Sequence, residues 1–124
     1  MGTIADEKGC LCGSGEKIVI ACSGACDLGH ITDLVARKLR DNKVYKMNCL
    51  AAVGADIKPT IEAFKTANLL LLDGCTVDCG KKILDKAGIT NYHYLRLTDL
   101  GYVKGQTPVT DEVIKAVYEK AEVL

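Results

Sequence analysis

The stretches Lys17-Ile-Val-Ile-Ala21 and Asn68-Leu-Leu-Leu-Leu-Asp73 decide the fold of this chain. Each is short and almost continuously apolar, which is typical of a strand buried on both faces of a parallel sheet. Two further segments, residues 44–48 (VYKMN) and 92–97 (YHYLRL), alternate polar and apolar residues as edge strands do. We therefore predict a four-stranded parallel sheet in the order 2-1-3-4.

Helical spacing of apolar residues follows each predicted strand. The first helix covers residues 27–40 with Asp27 as its cap, and Pro59 lies in the first turn of the second. The third begins at about Asp78 and ends before Gly88, and Thr110 caps the fourth. Alternating strands and helices predict a three-layer α/β domain, Rossmann- or flavodoxin-like, with helices on both faces. The reversal between strands one and three predicts a ligand crevice there.

Length and composition limit the classes of function. The 124 residues suit one domain, which we assign to residues 17–124, after a flexible lead at 1–16 that does not resemble a signal peptide. Sixteen basic and sixteen acidic residues cancel, which favours neither nucleic acid nor membrane as a partner. The longest apolar run, Leu69 to Leu72, is too short to span a bilayer. We expect a cytoplasmic protein with reduced thiols.

The seven cysteines are the candidate functional residues, and their odd number excludes complete internal disulfide pairing. Because parallel strands end at one edge of a sheet, cysteines that follow different strands are expected to meet there. Thiolates in fours are typical ligands of zinc, and an iron–sulfur cluster is the alternative. A metal ion is thus the predicted partner, and no protein or small-molecule partner is indicated. The predicted ligands are Cys22, Cys49, Cys75 and Cys79, with Cys26 and His30 in reserve and Asp73 accepting hydrogen bonds around the site.

Several of these residues form a pattern that resembles the DGC-domain family. The resemblance covers about residues 17–105 and implies zinc binding through four cysteines, which fall on the same quartet, without implying an established reaction. Cys10, Cys12 and Cys26 are not part of the family pattern. The matching motifs are Asp73-Gly74-Cys75-x-x-x-Cys79 with Lys81-Lys82-Ile83-Leu84, Ala21-Cys22-Ser23-Gly24, Cys49-Leu50, and Thr98-Asp99-Leu100-Gly101 to Lys104.

Two other functions of the thiols stay open. Cys22, with the loop 23–29 as a cradle, resembles the nucleophile of the phosphocysteine carriers of sugar phosphotransferase systems. Tyrosine phosphatases of low molecular weight are a poorer match, since they need an arginine where Leu28 stands. Cys75 and Cys79 would form a thiol–disulfide switch if their Cα atoms lie within about 7 Å. Cys10 and Cys12 are either tail thiols or part of a lid that brings a thiol to the site.

Overall fold

The computed structural model describes residues 15–124. The predicted lead at residues 1–16, with Cys10 and Cys12, therefore lies almost entirely outside the described residues. The strands are β1 (Lys17–Ala21), β2 (Lys46–Met47), β3 (Asn68–Asp73) and β4 (Tyr92–Arg96). The helices are α1 (Asp27–Asp41), α2 (Leu50–Gly54), α3 (Lys58–Thr66), α4 (Cys79–Lys86) and α5 (Asp111–Ala121), and a 3-10 turn covers Leu97–Leu100.

The four strands form one parallel sheet in the order β2-β1-β3-β4, which confirms the predicted α/β fold and strand order. β1 pairs with β3 along the whole of β1, from Lys17 opposite Asn68 to Ala21 opposite Leu72. β2 is shorter than the predicted residues 44–48. The N–H groups of Val44 and Tyr45 both donate to the carbonyl of Leu39, so they are engaged by the end of α1.

The core lies in two layers, one on each face of the sheet. Leu70 and Leu72 face the layer of α1 and α5, whereas Leu69 and Leu71 face the layer of α2, α3 and α4. All four of these leucines are fully buried. Burial of β3 on both faces explains why its sequence is continuously apolar.

The ends of the helices confirm some predictions and correct others. The hydroxyl of Thr110 caps α5 by accepting the N–H of Val113, and Gly88 has the left-handed conformation (φ 78°) typical of a helix stop. Cys26, not Asp27, is the residue before α1, because Asp27 is already helical. The short helix α2 and the 3-10 turn after β4 were not predicted. Within residues 15–124, no helix is long and apolar enough to cross a membrane.

Candidate functional site

Five thiols lie at or near the carboxyl edge of the sheet. Cys22 directly follows β1, while Cys49 and Cys75 come two residues after the ends of β2 and β3. Since these three strands are parallel neighbours, the thiols follow adjacent strand ends. Cys26 precedes α1 and Cys79 is the first residue of α4. All five described cysteines are free.

The loop after β3 touches the first turn of α1 at Gly74. A Cβ on Gly74 would lie 2.9 Å from the Cβ of Leu28 and 3.1 Å from the N–H nitrogen of Gly29. A side chain at position 74 would therefore push the loop after β3 away from the start of α1. Cys26 and Cys75, on either side of this contact, both pack against the core layer of α1 and α5.

Cys49 and Cys79 belong to the opposite layer of the protein. They stand at the N-termini of α2 and α4, two helices whose buried residues share the second core. Both cysteines are exposed, whereas Cys22, Cys26 and Cys75 are half-buried. The five thiols are thus divided between the α1 side and the α2–α4 side of the carboxyl edge.

The donor set fits zinc in chemical type, because thiolates are ligands that zinc prefers. The side chains of this donor set do not converge on one position. Among residues 15–124, no three Cys, His, Asp or Glu side chains are placed to hold one ion. His30, the reserve ligand, is exposed on α1. The edge therefore gathers the right donors without bringing three of them together.

Asp73, at the end of β3, holds the start of α4 in place. Asp73 is 1% exposed, and its carboxylate accepts the N–H groups of Gly80 and Lys81, each at 3.0 Å. The hydroxyl of Tyr94 on β4 lies 2.9 Å from the same carboxylate. A buried carboxylate needs such partners, and it is well placed at the positive end of a helix. Asp73 thus joins β3, β4 and α4 directly beside the loop 75–79.

Asp78 joins the same loop to β4. Its carboxylate accepts a hydrogen bond from Arg96 Nη1 at 2.8 Å and lies 2.9 Å from the hydroxyl of Tyr94. The hydrogen bond from Arg96 holds the pKa of Asp78 below its ordinary value. Burial, followed by the bond to Asp73, raises the pKa of Tyr94. Asp78 is therefore charged and the phenol of Tyr94 is neutral at neutral pH.

Thr98, in the 3-10 turn, fixes the other side of the loop. Its N–H and its hydroxyl both donate to the carbonyl of Gly74, at 3.1 and 3.0 Å. Sequence reasoning did not assign a role to Thr98, although it belongs to the motif that carried the family resemblance. The contact gives that part of the motif a structural reason.

Cys22 lies against α1. Its sulfur is 3.4 Å from the hydroxyl oxygen of Thr32, whose own hydrogen is donated to the carbonyl of Gly29 at 2.8 Å. The thiol of Cys22 is therefore the donor in this contact. Leu28, which stands where a phosphatase would have its arginine, is fully buried in the core. The loop after β1 offers a thiol near a hydroxyl but no guanidinium.

Comparison with known proteins identifies the family. The sequence profile of the DGC domain matches residues 18–121. The chain belongs to the DGC domain family. The match confirms the resemblance seen in the sequence and extends it through α5.

A relative from Pseudomonas aeruginosa, named anaerobic and virulence modulator AnvM, is 28% identical over 88 residues. The alignment covers 70% of this chain and 67% of the relative. No solved structure matches this DGC domain. In this chain, the contacts of Asp73, Gly74 and Thr98 give a structural reason for those positions of the family motif.

Proposed function

We propose that this DGC domain binds zinc through the thiolates of Cys22, Cys49, Cys75 and Cys79. The observation that carries the proposal is that three of these thiols follow the carboxyl ends of three adjacent parallel strands. The fourth begins α4, one loop away from Cys75. Cys26 and His30 are the reserve donors.

The electrostatics of this edge support thiolates. Strands of a parallel sheet lead into helices whose N-termini face the same edge, and those termini carry positive partial charge. Cys49 lies directly before α2, and Cys79 lies in the first turn of α4. Because Cys22 and Cys75 lie on the α1 side of the edge, zinc binding would draw Cys49 and Cys79 toward them from the α2–α4 side. Metal binding of this kind is coupled to ordering of the chain.

A closed site of four thiolates favours a structural or carrier role over catalysis, since catalytic zinc keeps a position for water. The Pseudomonas relative is named as a modulator, and we extend that to a regulatory role for this chain. A cytoplasmic location, where thiols stay reduced, is part of the same proposal.

Metal analysis tests the zinc proposal. The protein is expressed with and without added zinc, purified with reductant under anaerobic conditions, and analysed for metals and by absorption spectroscopy. We expect about one zinc ion per chain, retained by Cys26→Ser as the matched control and lost in Cys75→Ser. A brown protein that contains iron would favour an iron–sulfur cluster instead of zinc. Protein without metal, or full zinc content in Cys75→Ser, would overturn the proposal.

A second candidate is a cysteine nucleophile at position 22. The contact of its sulfur with Thr32, at the entrance to α1, is the observation that favours it. Cys22→Ser separates the two functions: a nucleophile predicts lost phosphoryl transfer with unchanged zinc content, whereas a ligand predicts lost zinc and lower stability. Thiol titration of the same protein after mild oxidation also detects a Cys75–Cys79 disulfide switch.

A further inference from the structure

We propose that Arg96 is a positioning residue: through Asp78 it fixes the loop between Cys75 and Cys79 and thereby sets the reactivity and the metal affinity of these thiols. The part that concerns metal affinity rests on the proposed zinc site. The part that concerns thiol reactivity does not, because it applies to the metal-free protein. Four observations on β3, β4 and the loop carry the inference.

The first observation is the backbone of Asp78. It has φ 58° and ψ 41°, the left-handed conformation, directly before Cys79. Aspartate adopts this conformation more readily than most residues, but it remains uncommon, and the contacts around Asp78 help to hold it. The N–H of Asp78 donates to the carbonyl of Cys75 at 3.2 Å, which closes a tight turn between the two cysteines.

The second observation is an exchange of capping roles. An aspartate before a helix commonly accepts N–H groups of the first turn, but the side chain of Asp78 makes no such bond. Asp73 accepts the N–H groups of Gly80 and Lys81 in its place. The carboxylate of Asp78 is thereby left to bind β4 instead of its own helix.

The third observation is what the Asp78 carboxylate binds. Arg96 Nη1 donates to it at 2.8 Å, and the hydroxyl of Tyr94 lies at 2.9 Å. Tyr94 has one hydrogen for two carboxylates, Asp73 and Asp78, so it cannot donate fully to both. Arg96 is therefore the constant donor to Asp78.

The fourth observation is the difference between the two ion pairs of Arg96. The side chains of Arg96 and Asp78 are 24% and 22% exposed, whereas Asp99, which binds Nε and Nη2, is 55% exposed. Exposed ion pairs contribute little because water and salt screen them. The pair with Asp78 is the one expected to matter, and Asp99 offers a matched control on the same guanidinium.

The consequence concerns Cys79. Without Arg96, the backbone at Asp78 can relax to a right-handed conformation, which turns the start of α4 relative to Cys75. Cys79 is already exposed, so a looser loop should make both thiols of this pair more reactive. Cys49, which lies on a different loop, should not respond.

The experiment compares the full chain with Arg96→Gln, Arg96→Lys and Asp99→Asn. Alkylation by iodoacetamide is followed at each cysteine by mass spectrometry in reduced, metal-free protein, and zinc affinity is measured against a chromophoric chelator. We expect Arg96→Gln to lower zinc affinity about tenfold, because loss of a group that orients metal ligands commonly has an effect of this size. The same variant should be alkylated faster at Cys75 and Cys79 but not at Cys49. Arg96→Lys should show both changes to a smaller extent, and Asp99→Asn should behave like the unsubstituted protein.

Unchanged alkylation of Cys75 and Cys79 in Arg96→Gln would overturn the positioning role, and so would an equal increase at every cysteine, which indicates general loosening. If Arg96→Gln does not fold, Asp78→Ala is used, because alanine offers no acceptor to Arg96 and adopts the left-handed conformation less readily. The same alkylation pattern is expected, and its absence would overturn the positioning role. If neither the unsubstituted protein nor any variant binds zinc, the zinc proposal fails. The alkylation pattern then still decides the role of Arg96.

Discussion

Asp73 Oδ1 accepts the backbone N–H of Gly80 at 3.0 Å, so the end of β3 directly caps the start of α4. The contact leaves no room for a side chain at position 80. A Cβ there would lie 2.6 Å from Asp73 Oδ1 and 2.7 Å from a methyl carbon of Leu71. The carboxylate cannot swing away cheaply, because Lys81 and Tyr94 hold its other oxygen.

Gly80→Ala is therefore expected to destabilise the protein, although alanine is the better helix former. We expect a loss of about 1–3 kcal/mol in the free energy of unfolding, as for other overpacked core sites, measured by urea denaturation. Gly54→Ala in α2 is the control, because its nearest neighbour would be a methyl of Ile83 at 4.0 Å. That variant should be neutral or gain up to about 1 kcal/mol. Equal effects at both positions would refute the capping argument.

Gly74→Ala is expected to push the loop that carries Cys75 away from the first turn of α1. The new methyl would meet the Cβ of Leu28 at 2.9 Å, and the strain should cost about 1–3 kcal/mol. Zinc affinity should fall in the same variant, because the proposed site needs Cys75 to stay close to Cys22. Gly24→Ala, in the loop between β1 and α1, is the control, since a Cβ there meets nothing within 4 Å. Wild-type stability in Gly74→Ala would show that the contact is not tight.

The sheet could be predicted from sequence more fully than the site. β1 and β3 begin and end where the apolar runs do, because burial on both faces leaves a continuous signal. β2 was predicted too long, since the carbonyl of Leu39 takes two of its N–H groups. The carboxyl-edge location of the cysteines follows from strand order alone. The separation of Cys49 and Cys79 from the other thiols depends on which helix packs on which face.

The contacts of Asp78 had no local signal in the sequence. Arg96 lies 18 positions along the chain and reaches Asp78 only because β4 pairs with β3. Aspartate adopts the left-handed conformation more readily than most residues, but no sequence signal marks Asp78 as the position that does so. The family motif marks neither residue, because Asp78 is one of its unspecified positions and Arg96 lies two residues before Thr98. The contact follows only from the strand pairing.

Asp27 is expected to hold the loop after the 3-10 turn against α1. Its carboxylate accepts the N–H groups of Gly105 at 2.9 Å and Thr107 at 3.0 Å. Asp27→Ala should therefore speed hydrogen exchange at these two amides, with little change in the amides of β3. Asp27→Asn keeps one acceptor oxygen and should give an intermediate rate. If exchange at Gly105 and Thr107 is unchanged in Asp27→Ala, the bridge does not hold the loop.

Tyr94 is expected to make the stability of the protein fall as the pH becomes alkaline. Burial, followed by its hydrogen bonds to Asp73 and Asp78, raises the pKa of Tyr94 above the 10.0 of an ordinary tyrosine. The folded protein therefore keeps a proton that the unfolded chain releases above about pH 10. This contribution to stability is complete below that pH and is lost as the pH rises from there toward the folded pKa.

Tyr94→Phe isolates this effect from that of Tyr45 and Tyr92, whose pKa values are also raised, the first by burial alone and the second mainly by burial. At pH 8 the variant should be about 1 kcal/mol less stable than the unsubstituted protein, because it lacks one hydrogen bond. Above about pH 10 the difference should narrow, since only the unsubstituted protein must retain the phenolic proton. Urea unfolding of both proteins on either side of that pH measures the two differences. A difference that stays constant would mean that Tyr94 ionises in the folded protein as readily as in the unfolded chain.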